Sequence, residues 1–176
     1  MLTGEVFSEK NDKFGGNIRM LDGFLRVAAA TPDIRVADCS FNGASAAALV
    51  SEAYERGVSL LVLPELCLTG YTCSDLFLQE SLLDGAEKAL VALTESTRDR
   101  NMVVLAGLPL TVNGVLYNVA AVLHGGEILG FVPKSYLPTY SEFYEGRHYH
   151  SGADIETEVL FNGRKYPFGT KLLFRC

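Results

Sequence analysis

The sequence lacks three features that would place it in common functional classes. It has no apolar run long enough to span a bilayer and no stretch typical of a signal peptide. It has no cluster of lysine or arginine residues, and its formal net charge of −6 argues against a nucleic-acid surface. It also has no glycine-rich nucleotide-binding motif. We therefore expect a cytoplasmic protein that binds neither nucleic acid nor membrane.

Cysteine and histidine are few, and their spacing excludes the usual metal sites. The four cysteines form no CxxC pair; they are Cys39, Cys67, Cys73 and Cys176. His148 and His150 flank a tyrosine, but no acidic or cysteine ligand accompanies them at metal-site spacing. We therefore expect reduced thiols and no bound metal.

The length and composition indicate one domain. The chain has 176 residues, enough for one domain with a substantial core and too few for two. A hydrophobic content of 48% indicates a globular interior. Residues 1–19 are polar and show neither helical nor strand periodicity, so we interpret them as an N-terminal extension, with Met20 as an alternative start. The domain itself then covers residues 20–176.

The first half of the domain alternates apolar and helical segments. Residues 24–29 and 58–63 read as buried strands, and residues 38–56 between them as a helix. A strand–helix–strand unit of this kind implies parallel strand pairing. A second helix at about residues 80–100 and a third strand at residues 102–108 extend the pattern.

The second half has the signals of antiparallel strands. Asn113-Gly114, Gly125-Gly126 and Asn162-Gly163 mark tight turns between apolar segments. Another apolar strand begins at residues 171–174, and the sequence stops there. We therefore predict an α/β fold with a mixed sheet that is incomplete at the C-terminus.

Two charges of opposite sign stand at predicted strand ends. Glu65 follows Pro64 directly after an apolar run, and Lys134 follows Pro133 in the same way. A carboxylate at the mouth of a buried strand needs a cation or a proton, because an unpaired charge there is costly. Glu142 adds a second carboxylate eight residues after the lysine. Each residue alone fits a solvated surface charge, but together they predict one convergent site.

These charges lie in two motifs that resemble a known family. PELCLTGY at residues 64–71 and PKSYLPTYSEFYEGR at residues 133–147 resemble the base and lysine motifs of the nitrilase, or carbon–nitrogen hydrolase, superfamily. With DGFLRVAAATPDIRVADCSFN at residues 22–42 and LTGYTCSDLFLQ at residues 68–79, they resemble more narrowly the N-terminal glutaminase domain of glutamine-dependent NAD synthetases. The resemblance covers nearly all of residues 20–176 and implies an αββα sandwich.

The resemblance also implies a role for each matching residue. Glu65 matches the general base, Lys134 the residue that stabilises the anionic tetrahedral intermediate, and Glu142 the second glutamate, which orients the lysine and helps to position the substrate. The positions that match substrate-pocket residues are Tyr71, Tyr140 and, less directly, Phe143.

The implied reaction is hydrolysis of the side-chain amide of glutamine, which releases ammonia. In the resembled family the ammonia passes to a C-terminal, ATP-dependent domain that amidates deamido-NAD. We expect that synthetase domain to be missing here, and ATP and Mg²⁺ to bind only to it, so the glutaminase half has no cofactor. The resemblance further implies a homo-oligomer in the full-length protein.

The family's nucleophile is a cysteine at the end of a later strand, followed by an acidic residue. Cys176 ends an apolar segment, but no acidic residue follows it. We therefore expect the nucleophile to lie beyond it, and the chain alone to be inactive. Cys67 and Cys73 fit buried thiols without a catalytic role. Two alternatives stay open: a fragment of a stand-alone nitrilase-type amidase or carbamoylase, and a non-catalytic partner-binding module.

Overall fold

The computed structural model describes residues 24–175, so the extension predicted at residues 1–19 and Cys176 lie outside the described residues. Within that range a short 3-10 helix, Ser74–Leu78, precedes the second of three α-helices. The remaining elements, in chain order, are β1 (Val27–Ala29), α1 (Cys39–Glu55), β2 (Leu60–Val62), α2 (Glu80–Ser96), β3 (Val103–Val112), β4 (Val115–His124), β5 (Glu127–Pro133), α3 (Glu145–His148), β6 (Glu156–Phe161) and β7 (Arg164–Gly169).

All seven of these strands lie in one sheet, in the order β1-β2-β3-β4-β5-β7-β6. The strands β1, β2 and β3 are parallel, whereas β4 runs antiparallel to both β3 and β5. Beyond them β7 is parallel to β5 and antiparallel to β6. The predicted α/β class and mixed sheet are therefore confirmed.

Local signals in the sequence explain where α1 begins and ends. The Asp38 carboxylate accepts a hydrogen bond from the Phe41 backbone N–H at 3.0 Å, which caps the first turn. Gly57 has a φ of 70° and donates its N–H to the Tyr54 carbonyl at 2.9 Å, and a glycine in this left-handed conformation is a common helix stop. At 17 residues each, α1 and α2 are the longest helices between residues 24 and 175, and no helix in that range has the length and apolarity to cross a membrane.

The two faces of the sheet differ in burial. On the face that α1 and α2 cover, Leu61 and its neighbour Val104 are fully buried. On the opposite face, Val27 and Val62 at the β1–β2 end are 60% and 39% exposed. The described residues thus supply one helical layer and one sheet of the predicted sandwich.

Residues 171–174, predicted as a strand, form none in the structure. A strand needs a neighbour that completes its backbone hydrogen bonds, but β7 already lies beside β5 and no described strand pairs with residues 171–174. Leu173 is consequently exposed, and Phe174 folds against β5. A Cβ atom placed on Gly130 of β5 would lie 3.2 Å from Cε1 of Phe174.

The loop that follows β2 packs tightly on β3, and this contact fixes the backbone of Glu65. The Leu68 N–H donates to the Gly107 carbonyl at 3.3 Å. A Cβ atom on Gly107 would lie 2.7 Å from the Pro64 carbonyl oxygen and 2.8 Å from Cα of Glu65, and closer still to the Leu66 nitrogen. Because real Cβ atoms do not approach backbone this closely, the position requires glycine.

We expect Gly107→Ala to destabilise the fold by about 3 kcal/mol or more, because the added methyl group would meet backbone atoms and displace the loop that carries Glu65. Urea unfolding of the purified chain measures this loss. Gly114→Ala is the control, since Gly114 has a φ of 80° but a Cβ atom added there would have no neighbour within 4 Å. The free energy of unfolding of that variant should fall by only about 1–2 kcal/mol, the cost of placing alanine at a positive φ. A loss at Gly107 no larger than the loss at Gly114 would contradict the steric argument.

Candidate active site

One lysine ammonium group joins two carboxylates at the ends of the central strands. The Nζ atom of Lys134 lies 2.6 Å from Oε1 of Glu65 and 2.8 Å from Oε1 of Glu145. Glu65 comes from the loop after β2, and Lys134 directly follows β5. The structure therefore brings together the two strand-end charges that the sequence predicts to converge.

The backbone of Lys134 is held on both sides. Its N–H donates to the Asn118 carbonyl on β4 at 2.8 Å, and its carbonyl accepts from the Gly152 N–H at 2.9 Å. A Cβ atom on Gly152 would overlap the ring of Pro133, so this segment packs directly on the strand end. The lysine therefore leaves the sheet at a fixed place and direction.

Asn118 also contacts Glu65 through its side chain, a contact that the sequence alone did not indicate. Its Nδ2 donates to Oε1 of Glu65, the same oxygen that Lys134 contacts. Asn118 is 3% exposed, on a strand that is otherwise largely apolar. A polar residue at a buried strand position was the available signal, because such a group must find a hydrogen-bond partner.

The contact predicted for Glu142 is made by Glu145 instead. Glu142 is exposed and forms no hydrogen bond or ion pair with any residue between 24 and 175. The chain turns at Ser141, whose φ is 54°, and Glu145 begins α3 with its side chain only 4% exposed. The sequence supplied both carboxylates, but their spacing did not show which one the loop turns inward.

Contacts on either side of Glu145 hold it in place. Its N–H donates to the Pro138 carbonyl at 3.2 Å, and its carbonyl accepts from the Tyr149 N–H at 2.9 Å. Arg147 forms an ion pair of 3.1 Å with Asp75 of the 3-10 helix. These contacts join the loop that carries Glu145 to the segment that follows the loop of Glu65.

The electrostatics of Lys134 reflect two opposing effects. Burial lowers the pKa of its ammonium group, but the hydrogen bonds to Glu145 and Glu65 together raise that pKa above its ordinary value. The lysine is therefore a permanent cation at neutral pH. Oε2 of Glu145 is buried and has no hydrogen-bond partner among residues 24–175.

Aromatic side chains border the charged group formed by Lys134, Glu65 and Glu145. Tyr71 donates its hydroxyl to Oε1 of Glu145 at 2.8 Å. Burial, reinforced by the Glu145 carboxylate, raises the pKa of Tyr71 well above its usual range, so its hydroxyl stays protonated. The ring of Phe143 lies 6.4 Å from that of Tyr71 and 5.6 Å from that of Tyr140. The three predicted pocket residues thus form one aromatic row, and Tyr140 at its end is exposed to solvent.

The described cysteines are poorly suited to nucleophilic attack. Burial raises the pKa of Cys39 and of Cys67 to about 11 and also raises that of Cys73. The Cys67 thiol contacts the Gly107 carbonyl at 3.6 Å, so it is held against β3. A nucleophile needs an accessible thiolate, and these three thiols are buried.

Residues 26–172 match the carbon–nitrogen hydrolase family. The chain belongs to this family.

Similar curated relatives include several glutamine-dependent NAD(+) synthetases. The protein of that name from Mycobacterium bovis is 43% identical over 152 residues, which are 86% of this chain and 22% of the relative. The one from Aquifex aeolicus is 36% identical over 145 residues, or 82% of this chain and 25% of the relative. The chain thus spans about a quarter of the length of these relatives.

Solved structures show the same relationship. A glutamine-dependent NAD(+) synthetase from Cytophaga hutchinsonii superposes with a TM-score of 0.80 at 31% identity, over 86% of this chain and 26% of that chain. An amidase from Nesterenkonia sp. superposes with a TM-score of 0.60 at 24% identity, over 81% of this chain and 54% of that one. The second likeness supports the fold alone.

We expect Glu145→Gln to lower the pKa of Lys134, because the ammonium loses a charged hydrogen-bond partner. NMR titration of the lysine side chain in the 176-residue chain measures the change. Glu142→Gln is the matched control from the same loop, and it should leave the Lys134 titration nearly unchanged. A larger effect of Glu142→Gln than of Glu145→Gln would contradict the assignment of Glu145 as the partner.

Proposed function

We propose that this chain is part of the glutaminase domain of a glutamine-dependent NAD synthetase, in which Glu65 and Lys134 serve hydrolysis of the glutamine amide. The observation that carries the proposal is the 43% identity over 152 residues to a relative of that name. The charged group supports it, since a carboxylate and an ammonium 2.6 Å apart provide a base and a cation at one place.

In the proposed mechanism, Glu65 accepts the thiol proton of a cysteine supplied by the rest of the protein, and the thiolate attacks the amide carbon. Lys134 stabilises the negative charge that develops on the carbonyl oxygen. The carbon–nitrogen bond then breaks, and Glu65 returns its proton to the leaving nitrogen, which departs as ammonia. Glu65 next removes a proton from water, which hydrolyses the thioester and regenerates the thiol.

Glu145 takes the place that the sequence had given to Glu142 in this scheme. One oxygen of its carboxylate accepts hydrogen bonds from the Lys134 ammonium group and from the Tyr71 hydroxyl. These contacts hold the ammonium group next to Glu65. An exposed ion pair contributes only about 0–1 kcal/mol to stability. Because Glu145 is buried, its contact with Lys134 is less screened by water than such a pair. The residue acts by holding the lysine.

The remaining parts of the reaction belong to the longer protein in this proposal. Ammonia passes to a synthetase domain that binds ATP and Mg²⁺ and amidates deamido-NAD. The full-length enzyme forms a homo-oligomer in the cytoplasm. This division agrees with the chain's coverage of 22–26% of its relatives.

We expect Glu65→Gln and Lys134→Gln each to reduce ammonia release from glutamine by about 10²-fold or more in the full-length protein, the range for loss of a base or an oxyanion cation. A coupled ammonia assay measures the rates, with circular dichroism as a check on folding. Glu127→Gln is the matched control, because among residues 24–175 the Glu127 carboxylate pairs with exposed Arg164, away from the site. Activity within a few-fold of wild type in the Glu65 variant would contradict the proposal.

We expect the 176-residue chain itself to release no ammonia from glutamine above a Glu65→Gln control, because it offers a base and a cation while the thiols of Cys39, Cys67 and Cys73 are buried. In the full-length protein, Cys176→Ser should leave glutamine hydrolysis within a few-fold of wild type. Labelling with a glutamine-like chloroketone, followed by peptide mapping, identifies the nucleophile directly. An adduct on Cys176 would overturn the assignment of the nucleophile to a later residue.

A further inference from the structure

We propose that Asn118 is a positioning residue for the base, and that it leaves only Oε2 of Glu65 free to accept the proton. The inference rests on the proposed function, in which Glu65 is the general base. Its structural basis is one buried residue that contacts Glu65 through its side chain and the backbone N–H of Lys134 through its carbonyl.

The register of the sheet places Asn118 between the two charges. It lies on β4, opposite Pro109 of β3, and the next residue, Val119, lies opposite Pro133 of β5. Its carbonyl accepts the Lys134 N–H at 2.8 Å, while its Nδ2 donates to Oε1 of Glu65. One residue therefore sets the position of the lysine backbone and of the base carboxylate together.

The two oxygens of Glu65 have different surroundings. Oε1 receives both the Asn118 amide and the Lys134 ammonium group, the latter at 2.6 Å. Oε2 receives no hydrogen bond from residues 24–175, and the Glu65 side chain is 39% exposed. An oxygen that already accepts two donors, one of them charged, is a weak acceptor for a third proton. Oε2 is therefore the oxygen that accepts the proton of the nucleophile.

An amide is the suitable group at this position. The last torsion of a glutamate side chain is broad and nearly two-fold, so a carboxylate held by one donor can rotate. A second donor on the same oxygen restricts that rotation. Leucine at position 118 would have a similar size but no donor, and aspartate would add a like charge beside Glu65.

The contact is testable in the 176-residue chain without any activity. We expect the side-chain amide protons of Asn118 to exchange with solvent roughly tenfold or more slowly than those of exposed Asn101, as measured by NMR. Glu65→Gln replaces the carboxylate by a weaker acceptor and should shift the Asn118 amide resonance. The proposal would be overturned if the Asn118 amide protons exchange as fast as those of Asn101 and their resonance does not move in Glu65→Gln.

The positioning role is testable in the full-length protein. We expect Asn118→Leu to lower kcat for glutamine by about 10–10²-fold with little change in KM, because the Glu65 carboxylate has lost the donor that orients it. Asn118→Asp keeps the shape of the side chain, so a loss of at least equal size there excludes a packing effect. Asn101→Leu is the control for the substitution itself.

An unchanged kcat in folded Asn118→Leu would overturn the positioning role. Absence of glutaminase activity in the unsubstituted full-length protein would instead overturn the proposed function and the base role with it. In that case the NMR experiment would still show whether Asn118 holds Glu65, so the two failures are distinguishable.

Discussion

The site depends on one ammonium group shared by two carboxylates. Without Lys134, the side chains of Glu65 and Glu145 would repel each other, and Glu145 would become a buried charge without a counter-charge, which costs several kcal/mol, roughly. The raised pKa of Lys134 means that the folded state holds this proton more tightly than the unfolded chain does. Its stabilising contribution is therefore complete at neutral pH and is lost only as the pH rises through the folded-state pKa.

Much of the fold follows from local signals in the sequence. The cap at Asp38, the stop at Gly57 and the turn at Asn113-Gly114 all lie where the residue types predict them. Each of these features is decided within a few residues, so the sequence alone is sufficient. Residues 171–174 show the limit, because an apolar segment becomes a strand only if a neighbouring strand is available, and that depends on distant parts of the chain.

The residues of the site likewise fall into those that the sequence identified and those that it did not. Glu65 and Lys134 could be found because a proline precedes each one where an apolar segment ends, and the family resemblance assigned them roles. Glu145 could not be separated from Glu142, since the choice depends on the turn at Ser141 and on the contacts of α3. The role of Asn118 required the register of β4 between its neighbours, which no periodicity in the sequence specifies.

The close packing of the Glu65 loop on Gly107 has a consequence for motion. The backbone hydrogen bonds of β3 continue past the end of β2 into this loop, from the Leu63 N–H to Leu105 and from the Leu68 N–H to Gly107. A movement of the loop would therefore have to break bonds of the central sheet, so its opening should require nearly global unfolding. The central sheet thus holds the backbone of Glu65 in place. Any conformational change that opens or closes the site would have to come from other segments.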